Sequence, residues 1–330
     1  MFSLDHKNIK IGDKNFNLLM NASGCRSKNK EQLANLIHNG MNTIVSKTCT
    51  LNSNDGNPEP NFMEINDHIS INCLGMPNYG CTYYRDCYYE FKKLNVTYII
   101  SMDASNWNEL ENMLLDYDKY LSTHGHFNQR EFVEINASCP NKLTSVTTDA
   151  SCPNKLDLKR CQISRIIAFD PILLARLLEN IKLLDLQHIT IGLKLSPYID
   201  KYLLDEISKI IITYSSLVYY IVCGNSIPNG MVIDPINKKP ILSVNTGGIS
   251  GTANKLLGIS NVYQFVNIFK DKLDKLDKTI HVIGCGGIET SDDVIDYLNA
   301  GAVCVQIGRV LYLNGVSKVS DIANNLLSKL

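Results

Sequence analysis

Eight short runs rich in β-branched and aromatic residues alternate with helical patterns along 330 residues, and this order predicts an α/β protein, a single (β/α)8 barrel of the TIM type. The placement of polar motifs sharpens the prediction. Ser23-Gly24, Lys47, Ser101, Asn136 to Cys139, Lys194, Asn225-Ser226, Gly286-Gly287 and Gly308 each sit at or just past the C-terminal end of one run. In such a barrel that end carries the active site, whereas chance placement would scatter polar motifs through the helices as well. The length suffices for one large core, and the expected organisation is one domain over residues 1–330.

The elements follow in order. Ile9–Ile11 and Asn15–Leu18 bracket Gly12-Asp13-Lys14, which predicts an N-terminal hairpin. The first barrel strand is Leu18–Asn21, followed by a helix capped by Ser27, running to about Asn39 and stopped by Gly40. Strand two is Thr43–Ser46. A long stretch rich in Asn, Pro and Gly then reaches Gly80, and loops this long are usually functional or lid-like. A helix over 82–94, strand three at Thr97–Ser101, a helix capped by Ser105 and strand four at Phe132–Asn136 come next. Asp170-Pro171 pairs a cap with a first-turn proline and starts a helix to about Leu184. Strand five is Thr190–Leu195, a helix covers 203–214, and strand six is Leu217–Cys223. A further insertion spans about 227–255. Helix 261–273, strand seven at Ile280–Ile283, helix 292–298, strand eight at Ala302–Ile307 and a last helix over 319–327 complete the series. The insertions therefore follow strands two, four and six.

Composition excludes several classes. The net charge is -1, which favours neither nucleic acid nor an anionic membrane as the main partner. No apolar run approaches the roughly 18 residues that a membrane span needs, and the first residues lack an apolar signal core. The cysteines number eleven, odd and scattered without CxxC pairs, so a reduced cytoplasmic protein is expected rather than a disulfide scaffold. Cys139, Cys152 and Cys161 lack the paired spacing of a zinc site, and no metal is expected.

The chemistry centres on Phe132-Val133-Glu134-Ile135-Asn136-Ala137-Ser138-Cys139-Pro140-Asn141, a strand that opens into a polar loop. A thiol titrates near ~8.5 and becomes a useful base when neighbours lower that value, while a lone Cys in such a turn is otherwise plain packing. Ala137 to Leu143 recurs word for word as Ala150 to Leu156. Only the first copy follows the strand and carries Asn136, so Cys139 is the expected base and Cys152 its competitor. Lys47 and Lys194 end strands in apolar surroundings, where a lysine needs an anionic or carbonyl partner unless it is exposed. Asn72, Asn136, Asn141 and Asn225 offer donors and acceptors without charge, which suits a flat imide-bearing ring. Gly247-Gly248, Gly284 to Gly287 and Gly308 cluster late in the chain, where barrels commonly hold a phosphate. No GxGxxG opens a helix after an early strand, so this is not a dinucleotide fingerprint.

Taken together these words resemble the class 1A dihydroorotate dehydrogenases. The resemblance runs from about Leu19 to Gly315 and rests on Met20 to Gly24, Ser46-Lys47-Thr48, Asp55 to Pro58, Ile71 to Gly80, Asn136 to Asn141, Gly192 to Leu195, Asn225-Ser226-Ile227, Asn229-Gly230, Gly284 to Gly287 and Gln306-Ile307-Gly308. It implies FMN as cofactor, with its phosphate on Gly248, Gly286, Gly287 and Gly308, with Arg309 beside it and with Cys285 also at the cofactor. Ala22, Ser23, Gly24, Thr48 and Asn136 would line the ring, and Lys194 would stand near its N1 and C2 carbonyl, with Lys47 also at the cofactor. Lys47, Asn72, Gly75, Met76, Asn136, Asn141, Asn225 and Ser226 would hold dihydroorotate. Cys139 would take a proton from C5 as the C6 hydride passes to FMN, giving orotate for pyrimidine biosynthesis, and fumarate would reoxidise the cofactor to yield succinate. A cytoplasmic homodimer is implied as well. The alternatives are a flavin barrel reductase of another pyrimidine-like substrate, and a flavin-binding homologue that has lost catalysis.

The chain also departs from the family. The duplication lengthens the loop after Cys139. Asn61 stands where the family usually has arginine, Asp103-Ala104 replaces a small pair near the ring, Pro228 and Ser250 each replace a glycine, and Arg309 replaces a threonine. At Arg309 a cation would strengthen phosphate binding.

Overall fold

The computed structural model describes residues 9–126, 128–138, 166–274 and 278–329. Its chain order is β1 (Ile9–Ile11), β2 (Lys14–Phe16), β3 (Leu19–Asn21), α1 (Lys30–His38), β4 (Thr43–Val45), β5 (Phe62–Asn66), β6 (Ile69–Asn72), α2 (Cys81–Phe91), β7 (Thr97–Asp103), α3 (Trp107–His124) and β8 (Glu131–Asn136). Then follow α4 (Pro171–Leu183), β9 (Ile189–Leu195), α5 (Lys201–Thr213), β10 (Val218–Cys223), β11 (Ile227–Gly230), β12 (Gly247–Gly251), α6 (Lys255–Leu273), β13 (His281–Cys285), α7 (Ser291–Asn299), β14 (Cys304–Ile307) and α8 (Arg309–Leu327).

Eight strands form one parallel sheet in the order β3-β14-β13-β10-β9-β8-β7-β4, with helices between them, as the sequence predicts for a (β/α)8 barrel. The ends of that order meet at β3 and β4, and a side chain joins them. Asn21 Nδ2 donates to the Val45 carbonyl at 2.7 Å, and Asn21 Oδ1 accepts from the Val45 N–H at 2.9 Å. One amide thus supplies the donor and the acceptor that a backbone rung would provide. Asn21 is fully buried, so these groups would otherwise go unpaired at a cost of about 1–3 kcal/mol each.

Alternation along each strand sorts the side chains. On β8, Val133 and Ile135 pack outward in the larger core beneath the helices, while Phe132 belongs to the inner cluster with Phe16, Met20, Val45, Tyr220 and Ile283. Glu134 and Asn136 therefore also face inward, at mid-height and at the mouth. The inner cluster is closed from below by the hairpin β1–β2. Phe16 meets Phe132 edge-on at 5.2 Å, and Lys14 Nζ lies 2.6 Å from the buried Glu131 carboxylate. Higher up, the Tyr220 ring fills the bore, and Gly192 on β9 makes room for it. A Cβ at Gly192 would lie 2.1 Å from that ring.

Several boundaries differ from expectation. Asn29 and Asn106, rather than Ser27 and Ser105, cap α1 and α3. Ser27 instead accepts from the Gly24 N–H at 3.0 Å. Helix α6 begins at Lys255, and α8 begins at Arg309 with a break at Gly315, where φ is 78°. The largest difference concerns the insertions after the second and sixth barrel strands. They do not lie as separate loops, because β5, β6, β12 and β11 form one antiparallel four-stranded sheet in the order β11-β12-β6-β5. The insertion after the fourth strand, with both copies of the repeat beyond Ser138, lies outside the described residues.

Candidate functional site

The C-terminal mouth of the barrel opens into a cavity, and the antiparallel sheet roofs it. Thr48, just beyond β4, is its structural hub. The Ser23 hydroxyl donates to the Ser46 carbonyl at 2.8 Å, so Thr48 donates to Ser23 Oγ, 2.9 Å away. Thr48 Oγ1 then accepts from Ser101 Oγ at 3.0 Å and from Asn136 Nδ2 at 3.2 Å. The hydroxyl's one donor and two acceptor sites are all used. Four strand ends are locked together before any ligand arrives.

Ser138 continues the line. Asn136 Oδ1 accepts from the Ser138 N–H at 3.2 Å and from its hydroxyl at 2.9 Å, and Asn225 Nδ2 donates to Ser138 Oγ in turn. Asn225 Oδ1 accepts from the Ser226 N–H at 2.8 Å. The expected wall of free amides is therefore largely committed to protein partners. Each amide group has two N–H bonds and spends one, so Asn136 and Asn225 each retain a single N–H for a ligand. Ser138 is the link that the sequence reading passed over, although its place between Asn136 and Cys139 marked it.

Lys194 lines the cavity although the residue is only 4 % exposed. Its Nζ donates to Gln306 Oε1 at 3.2 Å. Burial alone would lower its pKa, but Cys285, Glu134 and Cys25 oppose this and hold it above the ordinary lysine value. Lys47 is half-buried and runs across Gly24, where a Cβ would stand 3.1 Å from Lys47 Nζ. Gly24 has a φ of 86°, a conformation that favours glycine.

At the other end, Gly286 and Gly287 turn through positive φ beside the start of α6, and a Cβ at Gly287 would lie 2.8 Å from Lys255 Cβ. Gly308 precedes α8. Arg309 follows it, with its side chain 7 % exposed. Its terminal nitrogens reach Glu289 Oε1 at 3.3 Å, the Asn66 carbonyl at 3.2 Å and Glu64 Oε2 at 3.5 Å, while Nε is buried with no protein partner among the described residues. Glu289 Oε2 also meets His68 Nδ1 at 2.7 Å. The guanidinium thus ties the mouth to the β5–β6 turn.

Every expected site residue within the described part lines this one cavity except Gly248. Gly248 is set back because Ser226 fills the space in front of it, where a Cβ would meet Ser226 Oγ at 2.1 Å. Its service to the site is to seat Ser226. Cys139, Asn141 and Cys152 fall outside the described residues. The cavity adds residues that the sequence did not single out, including Cys25, Phe62, Ser70, Asn254, Glu289 and Tyr312. Cys25 and Glu289 follow strand ends closely and were findable on that ground. Phe62 and Ser70 reach the site only because the insertions pair. Asn254, the N-cap position of α6, has a buried Oδ1 with no protein partner among the described residues. Two of the other departures are accommodated locally. Asn61 Nδ2 bonds the Asn57 carbonyl at 2.9 Å, and buried Asp103 accepts from the Ser105 hydroxyl.

A parallel eight-stranded barrel whose cavity at the C-terminal mouth gathers a buried lysine, a fixed amide and hydroxyl network, and a glycine-lined end at β13 and β14 has the architecture of the barrel enzymes. A model of the dihydroorotate dehydrogenase family matches residues 7–330. Curated relatives include a probable dihydroorotate dehydrogenase A (fumarate) of Streptococcus pneumoniae serotype 4, 30 % identical over 314 residues, covering 94 % of this chain and 88 % of the relative. A putative dihydroorotate dehydrogenase A (fumarate) of Streptococcus pyogenes serotype M18 is 32 % identical over 311 residues, covering 93 % and 87 %. The chain belongs to the dihydroorotate dehydrogenase family, a family of oxidoreductases. Among the described residues, no helix is long and apolar enough to cross a membrane, no acidic, His or Cys cluster could hold a metal ion, and the cysteines are free.

Proposed function

We propose that this chain oxidises (S)-dihydroorotate to orotate with bound FMN, and that fumarate is the second substrate, as the names of the relatives suggest. The observation that carries this reading is the meeting, in one cavity, of the buried Lys194 with a glycine end beside the Arg309 guanidinium. Those residues fit FMN. Gly286 and Gly287 suit its phosphate, because positive-φ glycines leave backbone N–H groups open to an anion, and Gly308 and Arg309 join them at the start of α8. Ala22, Ser23, Gly24, Thr48, Asn136, Cys285 and Lys194 would hold the ring.

When bound, FMN supplies the acceptor for the hydride leaving C6 of dihydroorotate and the donor of that hydride to fumarate. Cys139 Sγ, one residue beyond Ser138, takes the proton from C5; Cys152 is the competing base. Lys47, Asn72, Gly75, Met76, Asn136, Asn141, Asn225 and Ser226 orient the substrate, with the retained N–H groups of Asn136 and Asn225 offered to its carbonyls or carboxylate. Lys194 Nζ places a cation where negative charge accumulates. Dihydroorotate loses a hydride and a proton; fumarate gains both and leaves as succinate.

The test is anaerobic. Dihydroorotate added to the purified yellow protein bleaches its visible absorbance, and fumarate restores it. No bleaching would overturn the substrate, and bleaching that fumarate leaves unchanged would overturn the acceptor. Cys139→Ala abolishes rapid bleaching while Cys152→Ala leaves it nearly intact; the reverse result would make the second repeat the working copy.

A further inference from the structure

Below the mouth, three buried side chains from three strands form a polar line. Gln306 on β14 donates through Nε2 to Glu134 Oε2 on β8 at 2.6 Å, and Lys194 on β9 donates to Gln306 Oε1 at 3.2 Å. Tyr220 OH approaches the same Glu134 oxygen at 3.5 Å. A carboxamide donates at one end and accepts at the other. Glu134 takes the donating end, so the Gln306 oxygen is turned toward Lys194.

The placement is costly for a merely structural group. Glu134 is fully buried, and its Oε1 has no protein partner among the described residues. Tyr220 and Phe132 already fill the bore around it, and an apolar residue there would serve packing at lower cost. What Glu134 adds is a carboxylate linked through Gln306 to Lys194, the buried lysine that lines the cavity.

We propose that Glu134 is a positioning residue that acts through Gln306 on Lys194, fixing its ammonium and offsetting part of its charge, so that the bound flavin meets a compensated cation. The proposal rests on the flavin reading above. The other ionisable neighbours cannot play this part near neutrality. Burial pushes the Cys25 thiol up to about 11 and raises that of Cys285, which leaves both uncharged. Burial holds the Glu134 carboxyl above its ordinary range, with Lys194, Gln306 and Tyr220 drawing it back in part, and the Gln306 N–H donated to Oε2 ties it into the line to Lys194.

The experiment is an anaerobic redox titration of the FMN-loaded protein against reference dyes. Glu134→Gln uncovers the cation and favours the reduced over the oxidised ring about tenfold, a rise of about 30 mV for a two-electron couple. Glu134→Asp keeps the charge and stays near the wild-type potential. In a Lys194→Met background the Glu134→Gln shift disappears. If Glu134→Gln does not fold, Gln306→Met carries the test. It removes the nearest donor to Glu134, which then takes up a proton, so the potential again rises. An unchanged potential, or an equal shift without Lys194, overturns the relay while the flavin reading stands. A wild-type chain that takes up no flavin overturns both.

Discussion

The floor of the cavity and its roof are built on opposite plans. Floor residues stand on strands paired to two neighbours, with Asn136 opposite Lys194 on one side and Asp103 on the other. Their polar groups bond to one another, through Thr48 at the rim and through Gln306 below, with Glu134 Oε1 left without a protein partner among the described residues. The roof joins segments far apart in the chain, and its connection across Asn72 and Gly248 spans 176 residues. Its outer strand β5 is half-buried to exposed, and its tie to the mouth runs through Arg309 and Glu289. A floor bonded together in advance offers fixed electrostatics at little reorganisation cost when charge develops. The roof, with fewer buried partners, suits the recognition of a substrate that must enter and leave.

This contrast can be broken at three points. The largest expected effect is in the floor. Asn21→Ala removes both bonds to Val45 and opens the β3–β4 seam, lowering stability by about 2–4 kcal/mol in urea unfolding. A loss below about 1 kcal/mol would mean that the seam closes without it. The intermediate effect is in the roof. Asn72 lines the cavity, and its Nδ2 reaches the Gly248 carbonyl only at 3.4 Å. Asn72→Ala should raise KM for dihydroorotate about tenfold, roughly 1.4 kcal/mol, while FMN affinity measured by fluorescence stays unchanged. An equal loss of FMN would show that the roof also holds the cofactor. The smallest effect concerns the tie. Glu64 is 52 % exposed and 3.5 Å from Arg309, so Glu64→Gln should cost no more than about 0.5 kcal/mol and less in high salt. A shift of several degrees in Tm would show a roof bound to the mouth as firmly as the floor is bound to itself.

Much of the site was legible in sequence for a local reason. A strand that ends in a polar residue delivers that residue to the mouth, so Ser23, Lys47, Asn136, Lys194, Asn225 and Gly308 could be assigned to one face from spacing alone. Arg309 shows where this stops. Its position beside the glycine end was readable, but its capture by Glu289, Asn66 and Glu64 was not, because those groups lie on other elements. The amide nitrogens of Asn136 and Asn225 belong to the same kind of surprise, since their partners Thr48 and Ser138 stand on other elements.

The sequence by itself determined the alternation of strands and helices, the hairpin beneath the barrel, and the set of residues presented at the mouth, because apolar period, glycines and helix signals act over a few residues. Only the tertiary structure decided that two remote insertions pair into a roof, that Asn21 closes the barrel, that Gly192 yields its space to Tyr220, and that the Gln306 amide is turned toward Lys194 by Glu134. Each of these joins groups far apart in the chain, and such contacts leave no local pattern behind. Hydrogen-bond direction and steric room are set only when the strands stand side by side.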